Sequence, residues 1–222
     1  MEEHIVRILD KKNLTHNVIR FRYEKPQGYT FIPGQATEVT VNKEGWKDKR
    51  NPFTFTCLTT DPFLEFSIKI YPEHKGVTNE LSKLEIGDEI ILHDVWGAIQ
   101  YKGKGVFIAG GAGVTPFIAI LRDLNVKDEI EGNTLLFANK TSDDIILKDE
   151  FEKMKGLNFI NILSDEKNSE YDNGHITEEY LKSKINNFNQ KFYVCGPPPM
   201  VEGVTKSLKN LGAGENAVVV EL

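Results

Sequence analysis

The rhythm of the sequence changes at Gly105, and that change constrains the fold more than any single motif. Before it, apolar and polar residues alternate in Ile19-Arg20-Phe21-Arg22-Tyr23 and in Leu64-Glu65-Phe66-Ser67-Ile68-Lys69-Ile70, the period-two pattern of a half-buried strand. Further short strands are expected over residues 5–9, 39–41, 53–57 and 89–92, punctuated by Pro26-Gln27-Gly28, Pro33-Gly34, Asp61-Pro62 and Ile86-Gly87-Asp88. About six short strands with close turns predict a small antiparallel barrel. After Gly105 an apolar run, Val106-Phe107-Ile108-Ala109, is followed by Phe117, Ile120, Leu121 and Leu124 at helical spacing. Strand-like runs recur over 134–138, 159–163, 192–195 and 217–220, with helical stretches between, notably over 200–211. That alternation predicts an α/β parallel sheet covered on both faces. The expected chain is therefore two-domain: an N-terminal antiparallel β-barrel over residues 1–103, followed by an α/β parallel-sheet domain over residues 104–222.

Composition narrows the functional classes. The first 104 residues hold 15 basic and 15 acidic side chains and the rest hold 12 and 18, so the net charge of −6 arises in the second half. An acidic chain without a basic stripe speaks against nucleic acid as its partner. No apolar run reaches the roughly 18–20 residues of a membrane helix, so membrane insertion is not expected. The start, Met1-Glu2-Glu3-His4, lacks the basic-then-apolar pattern of a secretory signal. Cys57 and Cys195 are the only cysteines, too few for a disulfide framework, an iron–sulfur cluster or a four-thiolate zinc site. A reducing cytoplasm is the simplest setting. The histidines at 4, 16, 74, 93 and 175 show no metal-ligand spacing.

Two turns carry the strongest chemical signal. Gly110-Gly111-Ala112-Gly113-Val114-Thr115-Pro116 sits between the first strand of the parallel half and a helix. Glycines there let the backbone approach a pyrophosphate, whose charge is favoured at a helix start. Thr115 suits an N-cap and Pro116 the first helical position. Cys195-Gly196-Pro197-Pro198-Pro199-Met200 likewise joins an apolar strand to a helix. In an open parallel sheet both turns lie outside the carboxyl ends of the strands, where ligands bind. In the barrel half, Arg50-Asn51-Pro52-Phe53-Thr54 places a cation, an aromatic ring and a hydroxyl at a strand start. Lys75-Gly76-Val77-Thr78 precedes a short helix marked by Leu81 and Leu84, a second place for an anion. Each of these also reads as plain structure: a tight strand–helix turn, a packed cysteine, a solvated arginine and an ordinary helix cap.

Taken in order, these four motifs resemble the ferredoxin–NADP reductase superfamily, closest to its short bacterial flavodoxin and ferredoxin reductase-like members, over nearly the whole chain. The resemblance implies a reductase that takes a hydride from NADH or NADPH and passes electrons through FAD to a separate carrier such as flavodoxin or ferredoxin. It implies that the barrel binds FAD through Arg50, Pro52, Phe53 and Thr54, with Phe53 against the isoalloxazine ring and Thr54 near its N5. Ile68, Lys69 and Ile70 would run along the diphosphate and adenosine, and Gly76, Val77 and Thr78 would hold the diphosphate. Gly111, Ala112, Gly113, Val114 and Thr115 would take the pyrophosphate of the dinucleotide, while Cys195, Gly196, Pro197 and Met200 would form the nicotinamide side. Thr54 and Cys195 would stand beside the reacting atoms.

Three departures from the family pattern stand out. Asn51 occupies the place of the usual arginine, with Arg50 one residue early. The sequence ends Val220-Glu221-Leu222 without the aromatic residue common there. Ser164-Asp165-Glu166 replaces the Ser-Arg pair of NADPH-specific relatives. A carboxylate at Asp165 repels a 2′-phosphate and accepts from ribose hydroxyls, which favours NADH; Lys140 is the opposing cation. Two other readings stay open: an electron-transfer subunit of a larger oxygenase-type complex, and a non-catalytic flavin- or nucleotide-binding redox sensor.

Overall fold

The structure, a computed structural model, describes residues 3–97, 99–214 and 216–221. It divides into two compact units, residues 1–100 with 115–123, and residues 101–114 with 124–222. The segment 115–123, which the sequence places in the second half, groups with the first unit.

The first unit contains β1 (His4–Asn13), β2 (Val18–Glu24), β3 (Ala36–Val41), β4 (Asn51–Thr54), β5 (Phe63–Lys69), helix α1 (Val77–Leu81) and β6 (Glu89–Trp96). The six strands form an antiparallel sheet in the order β4-β3-β6-β1-β2-β5. A bridge between Phe55 and Phe66 brings its two edges together, so the sheet closes as the expected barrel. Register shifts between Ile8 and Asp10 and between Thr37 and Val39 supply local bends of the kind closure requires. Val6, Ile8, Phe21, Tyr23, Val39, Phe55, Phe66 and Leu92 fill the barrel.

One strand departs from its pattern. The alternation in β5 predicts polar side chains in solvent, yet Glu65 and Ser67 are buried along with Leu64, Phe66 and Ile68. The outer face of β5 is covered: Arg122, from the segment 115–123, bonds to Glu65. Alternation reports two faces of unlike polarity; it does not report whether the polar face meets water.

The second unit holds a parallel sheet of β7 (Gly105–Gly110), β8 (Thr134–Asn139), β9 (Asn158–Leu163), β10 (Asp172–Asn173), β11 (Lys191–Cys195) and β12 (Val218–Glu221). Its order is β10-β9-β8-β7-β11-β12. The connecting helices are α2 (Thr115–Val126), α3 (Lys148–Lys153), α4 (Glu178–Lys184) and α5 (Pro198–Asn210). Val106, Ile108, Leu136, Ile162, Phe192 and Val194 point to one face of this sheet and pack with Leu181, Val201, Val204 and Leu208. On the other face Phe107 stacks on Tyr193 at 4.5 Å. The Tyr193 hydroxyl donates to the Gly103 carbonyl at 2.8 Å and accepts from Lys102 N at 2.7 Å, so a buried ring keeps its polar tip satisfied.

The start of α2 also differs from the expectation. A 3-10 turn over Gly111–Val114 follows β7 directly and runs into α2. Thr115 is thus the first residue of α2 rather than its cap. Gly111, at φ +51°, makes the reversal at the strand end itself. Pro116 falls in the first turn of α2, where a missing N–H is tolerated.

Candidate functional site

The parallel sheet has one switch point. From β7 the chain moves outward through β8, β9 and β10, then returns to the opposite side of β7 as β11 and β12. Ligands of open parallel sheets bind outside the carboxyl ends of the strands at such a point. The two glycine turns stand there: β7 ends at Gly110 and β11 at Cys195, with Ala109 opposite Cys195 in register.

These turns meet backbone to backbone. A Cβ on Gly113 would lie 2.5 Å from the Cys195 carbonyl carbon and 2.6 Å from Gly196 Cα. One on Gly196 would lie 3.1 Å from Gly110 N and 3.2 Å from the Met200 sulfur. The physical demand on Gly113 is therefore contact with the second motif. The sequence reading ascribed it to room for a pyrophosphate. Around these glycines, Val114 is buried, Gly111, Ala112, Thr115, Cys195 and Met200 are half-buried, and Pro197 is exposed. The close approach leaves a surface of backbone at the sheet switch, which fits a dinucleotide pyrophosphate.

Beyond them, at the ends of β8 and β9, Lys140 and Asp165 are exposed neighbours, with Asp165 N donating to the Lys140 carbonyl at 2.9 Å. Ser164 Oγ donates to Asp165 Oδ1 at 2.7 Å. The loop is anchored by Glu166, which accepts from Ser142 N at 2.7 Å and Ser142 Oγ at 2.9 Å. The Ser142 backbone N–H, then the Asn168 and Ser142 side chains, hold the Glu166 carboxyl below its usual range. Sequence reasoning quoted Glu166 but saw no role for it; nothing in the local pattern marks a carboxylate that ties two loops together.

In the barrel unit, Phe53 and Thr54 are half-buried on β4, opposite Thr37 and Ala36 of β3. The Phe53 ring lies 6.3 Å from that of Phe66, which backs it with the aromatic core. A half-exposed ring backed by an aromatic core fits a planar aromatic ligand such as an isoalloxazine. Pro52 is exposed. Ile68, Ile70 and Val77 are buried in the core, so a ligand along this edge would meet their backbone and the half-buried Lys69. Gly76 precedes α1 with extended backbone at φ −93°, and Thr78 is half-buried. Arg50 pairs with Glu3 and Glu38 at 3.5 Å each. Strand alternation puts Asn51, not Arg50, on the face of Phe53. Among the described residues no group of three or more His, Cys, Asp or Glu could hold a metal ion, and no helix is long and apolar enough to cross a membrane.

Comparison with known proteins agrees with this geometry. Residues 107–206 match the oxidoreductase NAD-binding domain family. NADH-cytochrome b5 reductase 1 of Homo sapiens is 27% identical over 244 residues, covering 90% of this chain and 79% of that protein. The reductase component of propane 2-monooxygenase from Rhodococcus jostii (strain RHA1) is 26% identical over 221 residues, covering 92% of this chain and 59% of its own length. A ferredoxin NADP+ reductase from Neisseria gonorrhoeae, solved with bound FAD and NADP, superposes with a TM-score of 0.87 at 19% identity, covering all of this chain and 98% of that one. The chain thus matches the oxidoreductase NAD-binding domain family over residues 107–206, and it shares its fold with the FAD- and NADP-bound ferredoxin NADP+ reductase.

Proposed function

We propose that this reductase takes its hydride from NADH and passes the electrons, through FAD, to a separate one-electron carrier, a flavodoxin or ferredoxin. The observation that carries the reading is the meeting of the two glycine turns at the sheet switch, with Cys195 at the end of β11 beside Ala109 of β7. The bound dinucleotide supplies a hydride and the flavin supplies the step from two-electron to one-electron transfer. The chain's own part is alignment and exclusion of water. Phe53 supports the flavin plane, Thr54 offers a hydroxyl near the reacting edge, and Cys195 with Gly196 bounds the nicotinamide. The backbone around Gly76–Thr78 would hold the FAD diphosphate. Lys140 and Asp165 face the adenosine ribose, where the carboxylate favours a hydroxyl over a phosphate.

With only Cys57 and Cys195, this sequence supplies no iron–sulfur cluster ligands, which supports a separate carrier. Cys57 is buried, its Sγ accepting from Glu65 N at 3.2 Å, and burial pushes its thiol up to about 12. A second reading, the reductase of an oxygenase complex, is favoured by the likeness to the propane 2-monooxygenase component.

The test is an anaerobic titration of the FAD-loaded protein with NADH, followed by mixing with flavodoxin, ferredoxin, cytochrome b5 or an oxygenase component. Bleaching of the visible flavin band by NADH, then reoxidation by ferredoxin or flavodoxin, is expected. A band that NADH leaves unchanged would sink the reading; reoxidation by another carrier alone would replace the acceptor.

A further inference from the structure

The strand segment just beyond Phe53 and Thr54 is gripped by a buried ion-pair network that the reaction so far does not use. Glu65 of β5 has a side chain only 1% exposed. Its Oε1 accepts from Arg122 Nη1 at 2.7 Å and from Thr56 Oγ1 at 3.0 Å, and its Oε2 accepts from Arg22 Nε at 2.9 Å. Arg20 Nε stands 3.8 Å away. Arg122 Nη1 also donates to the Thr56 carbonyl at 2.6 Å, and Thr56 N donates to the Glu65 carbonyl at 2.8 Å. Every polar group of Thr56 is thereby held, two residues from Thr54.

A barrel has no need of a charge at this place. The Phe55–Phe66 bridge already joins the strands, and an apolar residue would fill the position without the desolvation a buried carboxylate suffers. Burial pushes the Glu65 carboxyl upward, but the charge and hydrogen bond of Arg122, with Arg22 and Thr56, outweigh it and hold the group ionised. An ion pair kept at such a cost fixes geometry more tightly than apolar packing does, through directed bonds.

We propose that Glu65 and Arg122 are positioning residues for the flavin: together they clamp Thr56 and so fix Phe53 and Thr54 against the isoalloxazine ring. This rests on the assignment of the flavin to Phe53 and Thr54. Glu65 and Arg122 touch neither cofactor; they act through the strand.

The experiment uses the FAD-loaded full chain with Glu65→Gln, Arg122→Leu and the double variant Glu65→Leu/Arg122→Leu. For each, the visible flavin spectrum, the flavin midpoint potential, the rate of flavin reduction by NADH and thermal stability are measured. Both single variants should shift the flavin band and slow reduction by about ten- to a hundredfold, the loss expected from a misplaced reacting group. The apparent Kd for NADH should stay within about twofold, since uniform binding is untouched. The double variant should recover thermal stability, because apolar replacement of a buried pair is often neutral, yet keep the shifted band and slow rate. A double variant with wild-type spectrum, potential and rate would overturn the proposal and leave the pair a role in stability alone. A wild-type chain that binds no FAD would instead remove the flavin assignment on which the proposal stands.

Discussion

At the carboxyl ends of β7 and β11 two turns meet through their backbones, whereas the stretch just beyond β4 is held through side chains. The first arrangement leaves no room for a Cβ at Gly113, and a single carbon there strikes the Cys195–Gly196 peptide. The second is built from groups that reach: Arg122, Arg22 and Thr56 converge on Glu65, and Arg50 pairs with Glu3 and Glu38. Backbone-built sites demand particular residues at particular positions and keep a readable motif. Side-chain-built sites leave no comparable local motif, because the groups that meet come from separate stretches of the chain.

Breaking the backbone-built side should have the largest effect. Gly113→Val should destabilise the second unit by about 3 kcal/mol or more, since packed backbone cannot give way as a flexible side chain can. Thermal unfolding and NADH binding measure it, with FAD binding expected to persist in the barrel. Gly76→Ala sharpens the contrast: a Cβ there meets nothing nearer than 3.9 Å, so stability should change by no more than about 0.5 kcal/mol. Equal losses in the two variants would erase the distinction between the two sites.

Cofactor choice comes next in size. Asp165→Arg should improve the relative efficiency with NADPH by roughly ten- to a hundredfold, the worth of a charge–phosphate contact of about 1.5–3 kcal/mol. The gain should weaken at high salt because the site is exposed. Parallel kcat/KM measurements decide it; wild-type protein that already prefers NADPH would point to Lys140 as the dominant group.

A smaller effect concerns acid. The Glu65 carboxyl is held below its ordinary value of 4.5 in the folded chain, so it contributes stability that is fully present above that value. The contribution is lost as pH falls through the lowered folded value. Chemical denaturation across this acid window should show a fall that Glu65→Gln flattens; an identical slope in both proteins would mean that other carboxylates set it.

The smallest effect belongs to Arg50→Ala. Its ion pairs are long and partly exposed, so their loss should cost well under about 1 kcal/mol. FAD affinity should change by less than about threefold, measured by flavin fluorescence. A loss beyond about tenfold, the worth of one charge-assisted bond, would show that the guanidinium leaves Glu3 and Glu38 for the FAD diphosphate.

Much of this was legible in the chain itself. Period-two alternation marked β2 and β5, short runs between turn residues marked the other barrel strands, and the change of rhythm at Gly105 announced the parallel sheet, because these patterns follow from local backbone geometry. The glycine turns were legible for the same reason: a strand that must reverse at once into a helix restricts which residues can stand at Gly110, Gly111 and Gly113. The contact of Gly113 with Cys195 and Gly196 was not legible, since those residues lie some eighty positions away in sequence. Helix α2 begins one residue earlier than the N-cap reading of Thr115 implies, because the 3-10 turn over Gly111–Val114 runs straight into it.

Sequence by itself thus determined the two architectures, the order of strands and helices, and the positions of the glycine turns, all of which depend on residues near one another in the chain. Only the tertiary structure decided what Glu65 does. Its place in an alternating strand assigns it to solvent, and it is buried because the segment 115–123 covers that face and Arg122 neutralises it. A carboxylate's fate depends on the charge that long-range folding brings beside it, and local periodicity carries no record of that.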